Sequence, residues 1–213
     1  MNRNKSTIGQ GIYVVIDPAM DEAVLLNKLQ RILPKQIAAV QIWDHFEEGQ
    51  AIEQLIQNIY AVCAPYKTPV LINNRWEYLK SSALDGVHFD SIPANPDGIK
   101  KQINRDFILG LTCGNDLGRV RWATEHEADY ISFCSMFPSS SADDCEIVSL
   151  KTIKEASSLF NKPLFLAGGI QPKNLNQLDE LKYDGIAVIS GIMNAEHPDL
   201  RIDEYRQHLN LTP

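Results

Sequence analysis

Ile12-Tyr13-Val14-Val15-Ile16-Asp17-Pro18 begins as an apolar, β-branched run and stops on an Asp-Pro pair, which reads as a buried strand entering a turn. Behind it, Asp21–Leu33 spaces its apolar residues three and four apart, the helical period, and Ala38–Ile42 resumes an apolar run. Residues 12–42 therefore read as strand, helix, strand. The alternation continues to the end of the chain. Further strands are expected at Pro69–Ile72, Gly86–His88, Phe107–Leu111, Tyr130–Phe133, Leu164–Ala167 and Gly185–Ile189. Helical patterns lie between them at Gly49–Ala64, Asn115–Glu127, Leu150–Phe160 and Pro172–Lys182, the last with a proline suited to a first helical position. Eight βα units without a long linker predict a single (β/α)8 TIM barrel, α/β in class, with residues 1–213 forming one domain. An open doubly wound sheet rarely runs to eight strands in strict alternation.

Composition narrows the function. Twenty Lys+Arg against 27 Asp+Glu leave a net charge of −7, so no general positive field draws in a nucleic acid backbone. Cys63, Cys113, Cys134 and Cys145 form no C-x-x-C pair, which argues against a zinc site or a disulfide framework and for reduced thiols. The apolar run Gly11–Ile16 is too short for an export signal, and no apolar stretch approaches the ~20 residues of a membrane span. A soluble, cytoplasmic protein without membrane or nucleic acid partners is expected. A homo-oligomer is compatible with the sequence.

In a barrel of this kind the chemistry sits on loops leaving the C-terminal ends of the strands. Two such loops, Ala167-Gly168-Gly169-Ile170 and Val188-Ile189-Ser190-Gly191, fall where barrel enzymes bind phosphate. Glycines let the backbone approach an anion, and free N–H groups at a helix start add favourable partial charge; the alternative is a tight turn and nothing more. His88 ends a strand and is a candidate acid or base, or else a residue hydrogen-bonded inside the barrel mouth. Asp44 beside His45 is a candidate acid–base pair, but adjacent residues at a loop start point apart, which favours a solvated rim. Cys134 is expected to be an inert thiol, and Asp143-Asp144 with Glu146 a solvated acidic loop or a divalent-ion site.

Several stretches together resemble the thiamine phosphate synthase family, which also contains the thiazole tautomerases. They are residues 11–18, Val40-Gln41, Leu71-Ile72-Asn73-Asn74-Arg75, Asp85-Gly86-Val87-His88, Gly110-Leu111-Thr112, Ala128-Asp129-Tyr130-Ile131, Phe137-Pro138-Ser139, the double-glycine turn with Asn174, and residues 184–190. The resemblance implies the same barrel fold and the joining of a pyrimidine diphosphate to a thiazole phosphate, with pyrophosphate leaving. It places a phosphate on the amides near Gly168, Gly169, Ile189 and Ser190. It sets Tyr13 and Gln41 against the pyrimidine, Asn73 against the diphosphate and Thr112 against the phosphates, with Ser139 standing where the family has a threonine.

The departures from the family pattern are concentrated on the diphosphate side. Where the family carries Gln-x-Arg-x-Lys, this chain reads Gln41-Ile42-Trp43-Asp44-His45, and both cations are gone. The family's magnesium-binding Asp after strand three is Asn74 here, and a neutral amide is a poor Mg²⁺ ligand. Asp90 stands for the second metal carboxylate once two residues are deleted, so the Mg²⁺ expectation rests on Asp90. Ala142 falls where the family's phosphate-binding lysine lies, and Gly114 where the tautomerases carry a histidine. Arg75 and Lys80 are the candidates to replace the missing cations. Losing one charged partner of a bound diphosphate costs about 3–4 kcal/mol of transition-state stabilisation. The expectation is therefore a family member that binds thiazole phosphate or thiamine phosphate, a small phosphorylated heterocycle, at the C-terminal barrel face. Its coupling activity is expected to be reduced or lost. A thiazole phosphate isomerase relying on His45 or His88 and a non-catalytic binder of a thiamine intermediate are the alternatives.

Overall fold

The computed structural model describes residues 6–139 and 146–209. Strands β1 Gly11–Ile16, β2 Ala39–Ile42, β3 Val70–Asn73 and β4 Gly86–Phe89 are followed by β5 Ile108–Thr112, β6 Tyr130–Cys134, β7 Leu164–Ala167 and β8 Gly185–Val188. All pair in parallel with their neighbours in chain order, and β8 returns to β1 with Ile186 beside Ile12, closing the barrel. The expected (β/α)8 barrel is the fold observed. The outer helices are α1 Glu22–Ile32, α2 Ile52–Cys63, α3 Pro96–Ile103, α4 Leu117–Glu125, α5 Leu150–Leu159, α6 Ser190–Met193 and α7 Pro198–His208. Side chains of Asp21, Asn95, Asp116 and Ser149 accept backbone N–H bonds at the starts of α1, α3, α4 and α5, satisfying donors that a helix cannot pair internally. No helix among the described residues is long and apolar enough to cross a membrane.

The connection after β7 differs from expectation. Pro172–Leu178 is a 3-10 helix, not the α-helix predicted to Lys182. Asn174 explains the tighter turn: its Oδ1 accepts from the Gln171 amide at 2.8 Å and its Nδ2 donates to the Gly169 carbonyl at 3.0 Å. Such local side-chain bonds compete with regular helix.

Strand side chains alternate between two hydrophobic layers. Ile12, Val14 and Ile16 of β1 and Ile131 and Phe133 of β6 face outward to the helices, in the larger core cluster. Tyr13, Val15, Leu71, Ile108, Tyr130 and Phe165 face inward and fill the barrel. Tyr13, Tyr130 and Phe165 form a triangle with ring centroids 5.5–5.8 Å apart, the floor above which the cavity opens. Gly110 makes room for that floor, since a Cβ there would lie 2.2 Å from Cζ of Tyr130.

At the opposite, N-terminal end three aspartates repeat one device. The Asp85 amide donates to the Val70 carbonyl at 2.8 Å, and its carboxylate accepts from the Val70 amide at 2.9 Å. Asp129 makes the same closed pair with Leu109 and Asp184 with Leu164, their carboxylate bonds being 2.7 and 2.9 Å. Each aspartate thus caps the buried start of the preceding odd strand and fixes the register of the even strand it begins.

Candidate active site

A cavity of about 690 Å³ opens at the C-terminal end of the barrel. Tyr13, Gln41, Asn73, His88, Asp90, Thr112, Ser139, Gly168, Gly169, Ile189 and Ser190, read from the sequence as site residues, all line it. Inward alternation explains the convergence: Tyr13 and Gln41 face the barrel axis from neighbouring strands, as do Asn73, His88 and Thr112. His45 is the exception. It does not line the cavity; its side chain is 60% exposed, with Nδ1 3.1 Å from Asp17 Oδ1. Asp44 pairs with Asn74 instead of with His45.

Immediately above the aromatic floor lies a layer of buried polar side chains. Tyr13 donates its hydroxyl to Gln41 Oε1 at 2.5 Å, and the Tyr13 and Tyr130 hydroxyls are 2.7 Å apart. His88 Nδ1 lies 2.8 Å from the Tyr130 hydroxyl and Nε2 2.8 Å from Thr112 Oγ1, which in turn is 3.2 Å from Ser132 Oγ. Burial depresses His88 to about 4, partly opposed by the negative charge of Asp90, so the ring is neutral at pH 7. Burial likewise pushes the Tyr13 and Tyr130 hydroxyls well above their ordinary value, keeping them protonated.

On the β2–β4 side Asn74 occupies the centre of an acidic pair. Its Nδ2 donates to Asp44 Oδ2 and to Asp90 Oδ2, both at 2.9 Å, and its Oδ1 accepts from the Asp90 amide at 3.1 Å. Asn74 adopts φ 55°, a left-handed conformation that Asn tolerates better than most residues. The three bonds fix the amide orientation: turned over, it would set its oxygen against two carboxylates. A donor NH₂ thus fills the space between Asp44 and Asp90, where a Mg²⁺ ion would need oxygens at about 2.0–2.1 Å. The residues present do not fit a Mg²⁺ site. No group of three or more His, Cys, Asp or Glu side chains suited to a metal occurs among the described residues.

Across the cavity, Gly168 and Gly169 have φ of 86° and 64° and are crowded as well as left-handed. A Cβ would fall 2.0 Å from Ser135 Oγ at Gly168 and 2.6 Å from the Phe137 carbonyl oxygen at Gly169. The turn's carbonyls are held by protein: Gly168 by the Phe137 amide, Gly169 by Asn174, and Ile170 by the Tyr205 hydroxyl at 2.9 Å. Beside it, Lys28 Nζ caps the end of α6 through the Met193 and Ala195 carbonyls, both at 2.7 Å. The glycines are therefore needed by the turn itself, and Gly168, Gly169 and Ile170 all line the cavity.

Sequence reasoning passed over three further contributors. Tyr130 and Ser132 face inward from β6, as strict alternation about Ile131 dictates. Arg119 reaches the cavity from the first turn of α4; Nη1 donates to the carbonyls of Asp90 at 2.9 Å and Thr112 at 3.2 Å. Arg75 and Lys80 do not line the cavity, and Lys80 sits over the Trp76 ring. Trp43 does line it, where the resemblance set an arginine. Asp90, Asp116 and Glu146 line the cavity together with Arg119, whose Nε is 3.8 Å from Asp116 Oδ2. Ala142, Asp143, Asp144 and Cys145 lie outside the described residues. Cys134 and Cys113 both belong to the lining; Cys134 Sγ is 3.8 Å from Ser135 Oγ, and the buried Cys113 thiol is pushed up to about 12 by desolvation.

Comparison with known proteins agrees with the fold. A thiamine-phosphate synthase from Methanobrevibacter smithii is 28% identical over 189 residues, 89% of this chain and 90% of that protein. One from Clostridium tetani is 30% identical, covering 87% of this chain and 88% of that one. The solved thiamine phosphate pyrophosphorylase from Pyrococcus furiosus superposes with a TM-score of 0.78 over 96% of both chains. At 21% identity that likeness speaks for the fold alone. The family model for thiamine monophosphate synthase matches residues 12–192, nearly the whole barrel, and the chain belongs to that family of thiamine biosynthesis.

Proposed function

We propose that this protein binds thiazole phosphate or thiamine phosphate at the C-terminal mouth of the barrel, and that coupling of a pyrimidine diphosphate to thiazole phosphate is reduced or abolished. The observation that carries the reading is the Asp44–Asn74–Asp90 clasp, in which an amide NH₂ donates to both carboxylates at the position where the resemblance set a magnesium-binding Asp. The charge around the cavity supports the same conclusion. Among the described residues lining the cavity the carboxylates of Asp90, Asp116 and Glu146 outnumber the guanidinium of Arg119, whereas a departing diphosphate needs cations. Monophosphate recognition asks less, since the turn at Gly168–Ile170 and the start of α6 at Ser190 offer backbone N–H groups without a lysine. A thiazolium ring beside Asp90 and Glu146 would find favourable charge. On this reading the ligand is a small phosphorylated heterocycle and no Mg²⁺ takes part.

The isomerase alternative has no observation in its favour: both nitrogens of His88 are hydrogen-bonded, and His45 stands outside the cavity lining. The test is calorimetric titration with thiazole phosphate, thiamine phosphate and the pyrimidine diphosphate, the last with and without Mg²⁺, followed by a product assay. Binding of the monophosphates with no Mg²⁺-dependent formation of thiamine phosphate is expected. Tight Mg²⁺-dependent diphosphate binding with accumulating thiamine phosphate would make this a working synthase and overturn the proposal.

A further inference from the structure

The polar layer over the barrel floor is continuous, and its hydrogens are not independent. Tyr13 donates to Gln41 Oε1, so the Tyr13 oxygen is left to accept from Tyr130. Tyr130, having donated, accepts from His88, which must then carry its proton on Nδ1. His88 Nε2 is consequently bare and accepts from Thr112, and Thr112 accepts from Ser132. Ser132 Oγ also lies 3.4 Å from His88 Nε2, so that nitrogen faces two hydroxyl groups, and in either arrangement of Thr112 and Ser132 the Ser132 proton is spent inside the layer. Reversing any bond from Gln41 to His88 forces the others of that stretch to reverse, because Tyr13, Tyr130 and His88 each have one proton to give within the chain. A broken polarity would leave a donor facing a donor in a buried layer, where an unmade hydrogen bond is costly.

We propose that Gln41, Tyr13, Tyr130, His88, Thr112 and Ser132 form a single hydrogen-bond relay in which His88 is a positioning residue whose tautomer is set from Gln41, two hydroxyl groups away. The functional consequence is coupled recognition. With Gln41 Oε1 committed to Tyr13, Gln41 offers its NH₂ group to a ligand, while Ser132, committed as a donor within the layer, offers its lone pairs. If the Gln41 amide turns over, the relay reverses, and Gln41 accepts while Ser132 donates. The two ends therefore present opposite hydrogen-bonding characters to whatever occupies the cavity. The relay suits a small heterocycle carrying an acceptor toward Gln41 and a donor toward Ser132. It disfavours one with two donors or two acceptors in those places.

The tautomer can be read directly by ¹⁵N NMR of histidine-labelled protein at pH 7.5. The His88 ring is assigned among the five histidines by its loss in His88→Gln. The wild type is expected to show a protonated, pyrrole-type Nδ1 and a bare, pyridine-type Nε2. Tyr13→Phe removes the acceptor that Tyr130 needs, so Tyr130 should turn its proton to His88 Nδ1 and the two shift types should exchange. Gln41→Leu, which deletes the terminal acceptor, should produce the same exchange, although Gln41 and Tyr13 reach His88 only through Tyr130. Thr112→Val cuts the relay on the other side of His88 and should leave the wild-type tautomer in place. Near-UV circular dichroism reports folding, and either of the first two variants, if folded, decides the matter. An Nε2–H tautomer in the wild type, no exchange in a folded Tyr13→Phe or Gln41→Leu protein, or an exchange in Thr112→Val would each overturn the proposal.

Discussion

Asn74 shows how one side chain changes what a barrel mouth can hold. Its NH₂ group bridges Asp44 and Asp90 and neutralises neither, so replacing it by Asp would place three carboxylates together with no donor among them. Without metal, Asn74→Asp is expected to destabilise the protein by about 1–3 kcal/mol through lost bonds and like-charge repulsion. Millimolar Mg²⁺ or Mn²⁺ should then raise the melting temperature of the variant and leave the wild type unmoved; an equal rise in both would mean that the wild-type clasp already admits a cation. His88 carries a second prediction at this scale. Its imidazole titrates near 6.5 when unfolded and at about 4 when folded, because desolvation opposes the charge. Its contribution is therefore fully present above pH 6.5 and is lost as the pH falls through 4, since between those values only the unfolded chain takes up the proton. The loss is on the order of 3 kcal/mol. Urea denaturation at pH 7.5 and 4.5 should show that extra loss in the wild type and not in His88→Gln; parallel losses would mean that the folded ring accepts a proton freely. The sequence made His88 and Asn74 visible as positions on the rim. It hid their partners, because Asp44, Tyr130 and Thr112 come from other strands and loops, and side-chain register across a barrel is not a local property.

The elements repeat a pattern whose purpose lies between strands and not within them. Asp85, Asp129 and Asp184 each stand just before an even-numbered strand and clasp the first residues of the odd strand before it. From sequence alone they served only as signs of resemblance, since the bond spans 15 or 20 residues of chain. Asp129→Ala should strand the buried amide of Leu109 and cost about 1–3 kcal/mol, a fall of roughly 2–10 °C in melting temperature for a chain of this size. Asp129→Asn keeps an acceptor and should recover most of it. Differential scanning calorimetry of the two variants checks the claim; equal losses would point to charge, not to the hydrogen bond, as the source. Strands were easier to read than helices for a physical reason. A strand buried on both faces is apolar at nearly every position, whereas α3 buries only Ile99 and Ile103 and otherwise reads as polar loop. α7 escaped notice similarly, with Pro198, Ile202 and Tyr205 as its buried residues.

At the scale of the molecule, eight alternations were enough to predict closure, because a parallel strand set of that number has to bury both faces of every strand, and the return of β8 to β1 does so. Helix α7 completes the outer ring by pairing with α1 through Arg31 and Asp199, and with the 3-10 turn Leu33–Lys35 after α1 through Lys35 and Asp203, both at 2.5 Å. The charge of the whole is what composition reported most directly and what the site then amplifies. A net charge of −7 surrounds a mouth lined by Asp90, Asp116 and Glu146 together with Arg119. A diphosphate approaching that mouth moves against the field, while a thiazolium monophosphate, carrying a positive ring, is repelled less. Raising ionic strength from 0.01 to 0.15 M shortens the screening length from about 30 to about 8 Å. Association of the pyrimidine diphosphate should therefore quicken severalfold across that range, and association of thiamine phosphate should change less. Stopped-flow fluorescence from Trp43, which lines the cavity, supplies the signal. A diphosphate association rate that falls with salt would require a positive field at the mouth, as in a barrel that had kept its cations, and would count against a remodelled diphosphate site.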